Sequence, residues 1–408
     1  DEEETPLIPV RKDSGKQRHT MMSASFNFIN SIIGSGIIGK NSLPLFFPTL
    51  CLYFMADYTI ILLIKGGNIT GTNSYQALVQ STFGFPGFLI LSALQFLYPF
   101  IAMISYNITT GDTLTKVFQR IPGVGPGHIL AERHFVILLS TIVFTLPLSL
   151  YRNVEKLGKV NLSYHTIVVF VPTQNAWSFA NWNAIQAVGL ISFAFICHHN
   201  SFLIYGSLEK PTVANWSRVT HTSVGSAVLF SAAFAVAGYI TFTGYTQGDI
   251  FENYCRDDDL VTFGRFCFGF SIIATFPLEC FVTREVVTNV ICRRELSKME
   301  HVLITSLIVL ACTSLSLPYD CLGVVLELNG VLSATPLIFI IPPACFLKLS
   351  PGRKLQCQNV IPIFLIAMGF FVMITGLIMI GLYPQDCSHG VEMFYCVQSN
   401  FSSTAPPV

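Results

Sequence analysis

The sequence from Asn30 to Gly39 reads NSIIGSGIIG and lies inside the first apolar run of the chain. Three glycines and two serines in ten residues are unfavourable in a helix, so the run predicts a break in a membrane-spanning segment. In a bilayer, a broken backbone is tolerated only where it lines a cavity or is buried in protein. The freed N–H groups of Gly34, Ser35 and Gly36 would suit a carboxylate, and freed carbonyls would suit a cation. The alternative is a packing face of small residues of the Gly-x-x-x-Gly kind.

A second interruption occurs near the middle of the chain, where the sequence from Phe193 to Asn200 reads FAFICHHN. Polar side chains inside a membrane are costly and face the interior of the helix bundle or a water-filled cavity. A single histidine would more often be a core residue with a satisfied hydrogen bond. Because His198 and His199 occur in tandem, a functional and a structural role are equally open.

The composition predicts an integral membrane protein. Of the 408 residues, 52% are hydrophobic and only 11% are charged, with zero net charge. Soluble proteins carry roughly 25% charged residues, and the mean hydropathy of +0.59 agrees. These values argue against a soluble enzyme, a disordered protein and a nucleic-acid-binding protein.

The apolar runs are long and continuous, as in membrane helices of about 20 residues, and they lack the alternation of barrel strands. We predict an all-α polytopic fold with eleven spans, centred near Ile33, Ile60, Phe100, Val143, Ile167, Ala194, Phe234, Ile273, Ile308, Phe339 and Phe371. The interruptions fall in the first and sixth spans. This pattern is typical of transporters built from two inverted repeats of five helices around a central site, here with an eleventh helix. We divide the chain into a tail (residues 1–23), a transmembrane domain (24–383) and a second tail (384–408).

Most Lys and Arg residues fall on one side of these spans when the N-terminus is placed in the cytosol, which puts the C-terminal tail outside. Asn400 is the accessible sequon in this topology, and we expect it to be glycosylated, although an unused sequon is equally open. Cys387 and Cys396 flank a short outer loop and could form a disulfide, with Cys255 as a competing partner.

Several polar residues within or near the spans could bind ions. Ser271 and Thr275 lie four residues apart on one face of the eighth span, where their hydroxyls could complete a sodium site with oxygens of the first span. The alternative is hydroxyls that bond to their own helix. Three ionisable residues are candidates for proton or ion coupling: Asp57, Glu279 and Glu327. For Asp57, an ion pair with Lys65 is the alternative.

The sequence contains no P-loop, no zinc-peptidase spacing of histidines and no Gly-x-Ser-x-Gly elbow. We therefore expect no enzyme activity and no cofactor other than a coupling ion.

Three runs resemble the sodium-coupled neutral amino acid transporter family of the amino acid/auxin permease superfamily: NSIIGSGIIG, FAFICH and LNGVLSATPLIFIIP of the tenth span. The resemblance covers the chain from about Ser23 to Phe401. It implies a LeuT-type fold with helices 1 and 6 discontinuous, and alternating access that couples neutral L-amino acids to sodium. It also implies a substrate site comprising Gly34, Ser35, Gly36, Ile37, Phe193, Phe195 and His198, and a sodium site comprising Asn30, Ile33, Ser271 and Thr275.

The sequence departs from the family pattern at two spans. The run after Gly39 reads KNSLP where the family has Leu-Pro-Tyr, which leaves little room for the second span before Lys65, and the fifth span between Lys159 and Trp177 is short. Two further functions therefore stay open: a non-transporting amino acid sensor, scaffold or inactive splice form, and a proton-coupled transporter that uses Glu279, Glu327 or His198. We expect either the plasma membrane or an endolysosomal membrane.

Overall fold

The computed structural model describes residues 46–125, 127–151, 183–242, 250–292, 294, 296–319, 321–350, 359–382, 393 and 396. Several predicted features lie outside these residues: the first and fifth spans, the first-span residues Asn30, Ile33, Gly34, Ser35, Gly36 and Ile37, and the tail residues Cys387 and Asn400.

The elements in the described residues are helices. In chain order they are α1 (Phe46–Thr70), α2 (Tyr75–Gln119), α3 (Arg133–Ser140), α4 (Leu146–Ser149), α5 (Asn183–Ala194), α6 (His198–Ser207), α7 (Val213–Phe242), α8 (Ile250–Asn253), α9 (Asp259–Val287), α10 (Lys298–Ser316), α11 (Leu322–Asn329), α12 (Ile341–Leu349) and α13 (Val360–Leu382). Wider π-helical turns join some of these helices or extend them, at Thr141–Thr145, Thr288–Cys292, Gly330–Ala334 and Pro336–Ile340.

Eight segments of the described chain are long and apolar enough to cross a membrane, which confirms a polytopic helical protein. They coincide with the predicted second and third spans and with the sixth to the eleventh. A shorter apolar helix, Arg133–Ser149, occupies the position of the predicted fourth span. The second span is a helix of 25 residues, because it continues beyond Lys65 as far as Thr70.

Local sequence explains where the helices of the eighth and ninth spans begin. The Asp258 carboxylate accepts a hydrogen bond from the Val261 N–H at 3.0 Å and caps α9. Ser297 and Glu300 form a capping box at the start of α10.

Gly84 has a φ of 71°, a conformation that favours glycine, and it marks a kink in α2.

The chain divides into two compact units. The first contains α1, the part of α2 up to Tyr98, α5, α6, most of α7 and the chain from Glu327 through α13. In its core, α5 packs against the π-helical turn of the tenth span with the two backbones in contact. A Cβ atom on Gly330 would lie only 1.8 Å from the carbonyl oxygen of Gly189.

The second unit contains the rest of α2, α3, α4, α8, α9 and α10. Leu114, Val136 and Ile273 form a buried cluster there, with Phe118 and Leu148 packed against it.

Candidate functional site

The sixth span is broken at the place that its sequence predicts. Helix α5 ends at Ala194 and α6 begins at His198, so that Phe195, Ile196 and Cys197 form a non-helical link. All three link residues are buried. The break therefore meets the condition for irregular backbone at membrane depth, because protein and not lipid surrounds it.

His198 begins α6 and is completely buried. Its Nε2 lies 3.0 Å from the Thr59 hydroxyl of α1, and that hydroxyl donates its proton to the Ala56 carbonyl at 2.9 Å. Since a hydroxyl has one proton, the bond to Ala56 fits a Thr59 oxygen that accepts from an Nε2–H of His198. The Nδ1 atom of His198 has no hydrogen-bond partner in the described part of the chain.

Tyr98 of α2 contacts residues on both sides of the break. Its ring centroid lies 5.7 Å from that of Phe193 and 5.6 Å from that of His199. Its backbone carbonyl accepts a hydrogen bond from the Asn329 Nδ2 at 2.9 Å, which ties the tenth span to the same place. Sequence reasoning missed both Tyr98 and Asn329. The amide of Asn329 within an apolar span was a usable signal, whereas an aromatic residue in an apolar helix gives none.

Glu327, a predicted coupling residue, is buried in α11 and lies beside α5. Its Cγ is 3.7 Å from the position that a Cβ of Gly189 would occupy. Asn329 and Ser333 follow it in the same span and are also buried; the side-chain oxygens Asn329 Oδ1 and Ser333 Oγ have no hydrogen-bond partner among the described residues. The tenth span therefore presents a concentration of buried polar groups within the first unit.

Asp57 is buried in α1, and its partner is a residue of another helix. Its Oδ2 lies 2.6 Å from the Nδ1 of His221 in α7. The sequence had suggested Lys65 as the partner, but Lys65 is exposed and the described ion pairs do not include it. Proximity along the chain was misleading here, because residues eight apart on a helix are two turns apart along its axis.

Ser271, Thr275 and Glu279 lie on one face of α9 in the second unit. The Thr275 hydroxyl donates to the Ser271 carbonyl at 2.8 Å, which is the intrahelical bond that the sequence left open as an alternative. This bond uses the hydroxyl proton and leaves the oxygen able to accept or to bind a cation. Glu279 lies one turn further on, and its Oε2 is buried without a hydrogen-bond partner in the described residues. Because Asn30 and Ile33 lie outside those residues, the complete sodium site stays a prediction.

Of the two partners that the sequence left open for Cys396, the structure selects Cys255 and not Cys387. Cys396 is bonded to Cys255, the competing partner, with a Cα–Cα distance of 5.5 Å. Cys321, which the sequence did not single out, is also disulfide-bonded. Disulfide pairing depends on which segments of the chain meet in space. A short separation in sequence does not by itself bring two cysteines into bonding geometry.

The chain is similar to several known proteins. The family model described as "Transmembrane amino acid transporter protein" matches residues 17–382. A Danio rerio protein named "Putative sodium-coupled neutral amino acid transporter 11" is 62% identical over 100% of this chain and 96% of its own length. A Homo sapiens protein of the same name is 57% identical over 86% of this chain and 90% of its own length. The Saccharomyces cerevisiae protein named "Vacuolar amino acid transporter 2" is 30% identical over 92% and 86%, respectively. A crystal structure of an Eremococcus coleocola manganese transporter aligns with 93% of this chain and 91% of that chain, at 12% identity and a TM-score of 0.46.

Proposed function

The chain belongs to the transmembrane amino acid transporter protein family, and from this membership we propose that it is a secondary active transporter of neutral L-amino acids. Transport would proceed by alternating access and would be driven by a sodium gradient. The structural observation that supports the proposal best is the buried break between Ala194 and His198. Discontinuous membrane helices form the substrate and ion sites of secondary transporters.

The amino acid would bind between the two broken spans. The backbone N–H groups of Gly34, Ser35 and Gly36 would hold its carboxylate, as expected for an electropositive half-helix end. Phe193 and Phe195, which are buried on either side of the end of α5, would contact its apolar side chain.

Sodium would bind to oxygens of the first and eighth spans, because hard cations prefer oxygen ligands. The names of the Danio rerio and Homo sapiens relatives support this ion. The Thr275 hydroxyl supports the place, because its oxygen keeps its lone pairs when it donates to the Ser271 carbonyl. A shared broken helix would couple the two ligands, and coupling free energies of about 1–3 kcal/mol are typical.

The disulfides support a cytosolic N-terminus and an outer or luminal C-terminal tail. Cys255, Cys321 and Cys396 are all disulfide-bonded, and all three fall on the predicted outer side of the membrane. Disulfides persist in oxidising compartments and are rare in the cytosol. Both the cell surface and an endolysosomal lumen fulfil this condition, and the name of the yeast relative points to the second.

Coupling to protons is the second candidate function. The buried Oε2 of Glu279 favours it, because an intramembrane carboxylate without a hydrogen-bond partner among the described residues is a candidate proton carrier. This function predicts uptake that follows the pH gradient and ignores sodium.

Uptake into liposomes tests both candidates. The purified protein is reconstituted, and entry of labelled neutral amino acids is measured with an inward sodium gradient and with sodium replaced by choline. Uptake that is stimulated by sodium supports the proposal. Uptake that is equal in both salts and is driven by an inward proton gradient contradicts sodium coupling, and amino acid binding without uptake indicates a sensor.

Thr275→Ala tests the placement of the sodium site, and Thr262→Ala is its matched control. Both threonines are half-buried in α9, and both donate to the carbonyl four residues earlier at 2.8 Å. We expect Thr275→Ala to raise the sodium concentration for half-maximal uptake by about fivefold or more, with the amino acid preference unchanged. An equal effect of the two substitutions would exclude a specific role of Thr275.

A further inference from the structure

The loop between α9 and α10 presents an exposed serine that follows two arginines. Ser297 is exposed, and its backbone is extended just before α10 begins. Arg293 and Arg294 stand four and three residues before it in the sequence, and the side chain of Arg294 is 61% exposed. Many protein kinases choose their substrates by charge, and acidic groups of the kinase bind basic residues ahead of the serine. The loop therefore has the sequence and the exposure of a kinase substrate.

This loop lies at the opposite end of a membrane span from a disulfide. Cys255, which is disulfide-bonded, precedes α9, and Cys292, a free thiol, follows it. The segment Asp259–Cys292 between them is long and apolar enough to cross a membrane. Disulfides persist in oxidising compartments and are rare in the cytosol. In the topology proposed above, Ser297 therefore faces the cytosol, which supplies ATP and protein kinases.

Ser297 shares polar contacts with Arg294 and Glu300. Its Oγ accepts from the Glu300 N–H at 3.3 Å, and its own N–H donates to Glu300 Oε2 at 2.9 Å. The Arg294 guanidinium donates to both oxygens of the same carboxylate, and its Nη1 lies 3.1 Å from Oε2. A phosphate on the serine would be repelled by the Glu300 carboxylate and attracted by the Arg294 guanidinium.

The first turns of α10 also contact the ends of the fourth and eighth spans on this side of the protein. The Nε2 of His301 in α10 lies 3.1 Å from the Leu150 carbonyl at the end of α4. The Thr305 hydroxyl accepts from the buried Arg284 of α9 at 3.0 Å, and Arg284 also donates to the Ser149 carbonyl at 3.1 Å. A change at the start of α10 therefore acts next to contacts that join three spans.

We propose that Ser297 is phosphorylated by a protein kinase that selects basic residues, and that the phosphate takes Arg294 from Glu300. Ser297 Oγ forms a bond to the γ-phosphorus of ATP while the bond from that phosphorus to the bridging oxygen breaks. ADP leaves, and the hydroxyl proton passes to the solvent through a base of the kinase. The added negative charge lies at the N-terminus of α10, where it stabilises the first turn of the helix.

The proposal rests on the transport function and the topology proposed above, and it adds control by a cytosolic kinase. A more stable first turn of α10 strengthens the contacts with the fourth and eighth spans. Alternating access requires spans to move relative to one another, so phosphorylation should slow transport.

Phosphate incorporation tests the site. The purified full-length protein is incubated with ATP and a calcium/calmodulin-dependent protein kinase, which selects an arginine three residues before the serine. Modified residues are mapped by mass spectrometry. We expect phosphate at Ser297, and a rate lower by about tenfold or more when Arg293 and Arg294 are both replaced by alanine. An unmodified Ser297, or an unchanged rate without the arginines, would overturn the proposal.

Protein isolated from cells tests the side of the membrane. We expect the same phosphorylated peptide in chains expressed in cells that contain the active kinase. Phosphate that is found only after treatment of the purified protein would overturn the cytosolic position of the loop, and with it the proposed regulation.

Ser297→Asn is the matched control for transport, because asparagine caps a helix about as well as serine but has no hydroxyl to phosphorylate. Sodium-driven uptake is measured after treatment with the kinase, with and without ATP. We expect ATP to lower the wild-type rate by about fivefold or more and to leave the rate of the variant unchanged. Equal responses of the two proteins would overturn the regulatory role.

Thermal unfolding tests the exchange of partners and does not need transport. Glu300→Gln keeps a capping side chain but removes the charge that pairs with Arg294, so it should lower the unfolding temperature of the unphosphorylated protein. After phosphorylation the difference from the wild type should shrink by about half or more, because Arg294 then binds the phosphate. An unchanged difference would overturn the exchange. If the wild type shows no uptake at all, the proposed function fails, while the phosphate mapping and this measurement still test the site.

Discussion

Gly330→Ala should separate two helices that meet backbone to backbone. The new Cβ would lie 1.8 Å from the carbonyl oxygen of Gly189 and 2.5 Å from its carbonyl carbon. Ordinary contact begins at 3.4 Å, so the backbones must move apart by about 1.6 Å. A flexible side chain could turn aside, but a backbone carbonyl within a helix cannot.

The expected cost follows from two opposing terms. Overpacking of a well-packed core costs about 1–3 kcal/mol, and a clash with backbone belongs at the upper end. Replacing glycine by alanine in a helix returns at most about 1 kcal/mol. We therefore expect a net loss of about 2 kcal/mol, which is roughly a 30-fold change in the ratio of folded to unfolded protein. Because Gly189 lies in α5, which ends at the break, uptake should also fall by on the order of tenfold or more.

The assay is thermal unfolding of the purified variant, followed by sodium-driven uptake in liposomes. Gly225→Ala serves as the control, since among the described residues its Cβ would meet only the Tyr53 hydroxyl, at 3.4 Å. The reasoning is refuted if Gly330→Ala unfolds at the wild-type temperature and transports at the wild-type rate. It is also refuted if the control is destabilised to the same extent.

Two further substitutions test contacts between distant parts of the chain. Cys396→Ser opens the disulfide to Cys255, which joins residues 141 apart, and should lower the free energy of unfolding by between about 2 and 5 kcal/mol. The control, Cys292→Ser, removes a free thiol and should leave the unfolding temperature unchanged. Equal unfolding temperatures of the two variants would contradict the stabilising role of the disulfide. Thr59→Val keeps the shape of the side chain but removes the hydrogen-bond partner of the buried His198 Nε2. The free energy of unfolding, measured by thermal or denaturant unfolding, should therefore fall by about 1–3 kcal/mol. An unchanged stability would show that this bond contributes nothing.

Several features could be predicted from the sequence because they depend on neighbouring residues. An apolar run of sufficient length forms a membrane helix wherever it occurs, since its backbone must satisfy its own hydrogen bonds in lipid. The helices at the predicted second, third and sixth to eleventh spans follow this rule. The break before His198 was predictable for a similar reason, because polar residues interrupt the apolar run locally.

The candidate site was only partly accessible to such reasoning. The sequence identified Asp57 and His198 as polar residues within spans, but it did not identify their partners, His221 and Thr59. Each partner lies on a different helix, more than a hundred residues away, and a single sequence contains no signal for such a contact.

The sequence by itself determined that this is a helical membrane protein with a discontinuous sixth span, because hydropathy and local polarity decide both. The tertiary structure alone decided that Cys396 bonds to Cys255 and that Gly330 touches Gly189. It also decided that Tyr98 lies against both sides of the break. These contacts join residues that are distant in the chain, and only the packing of whole helices determines which of them meet.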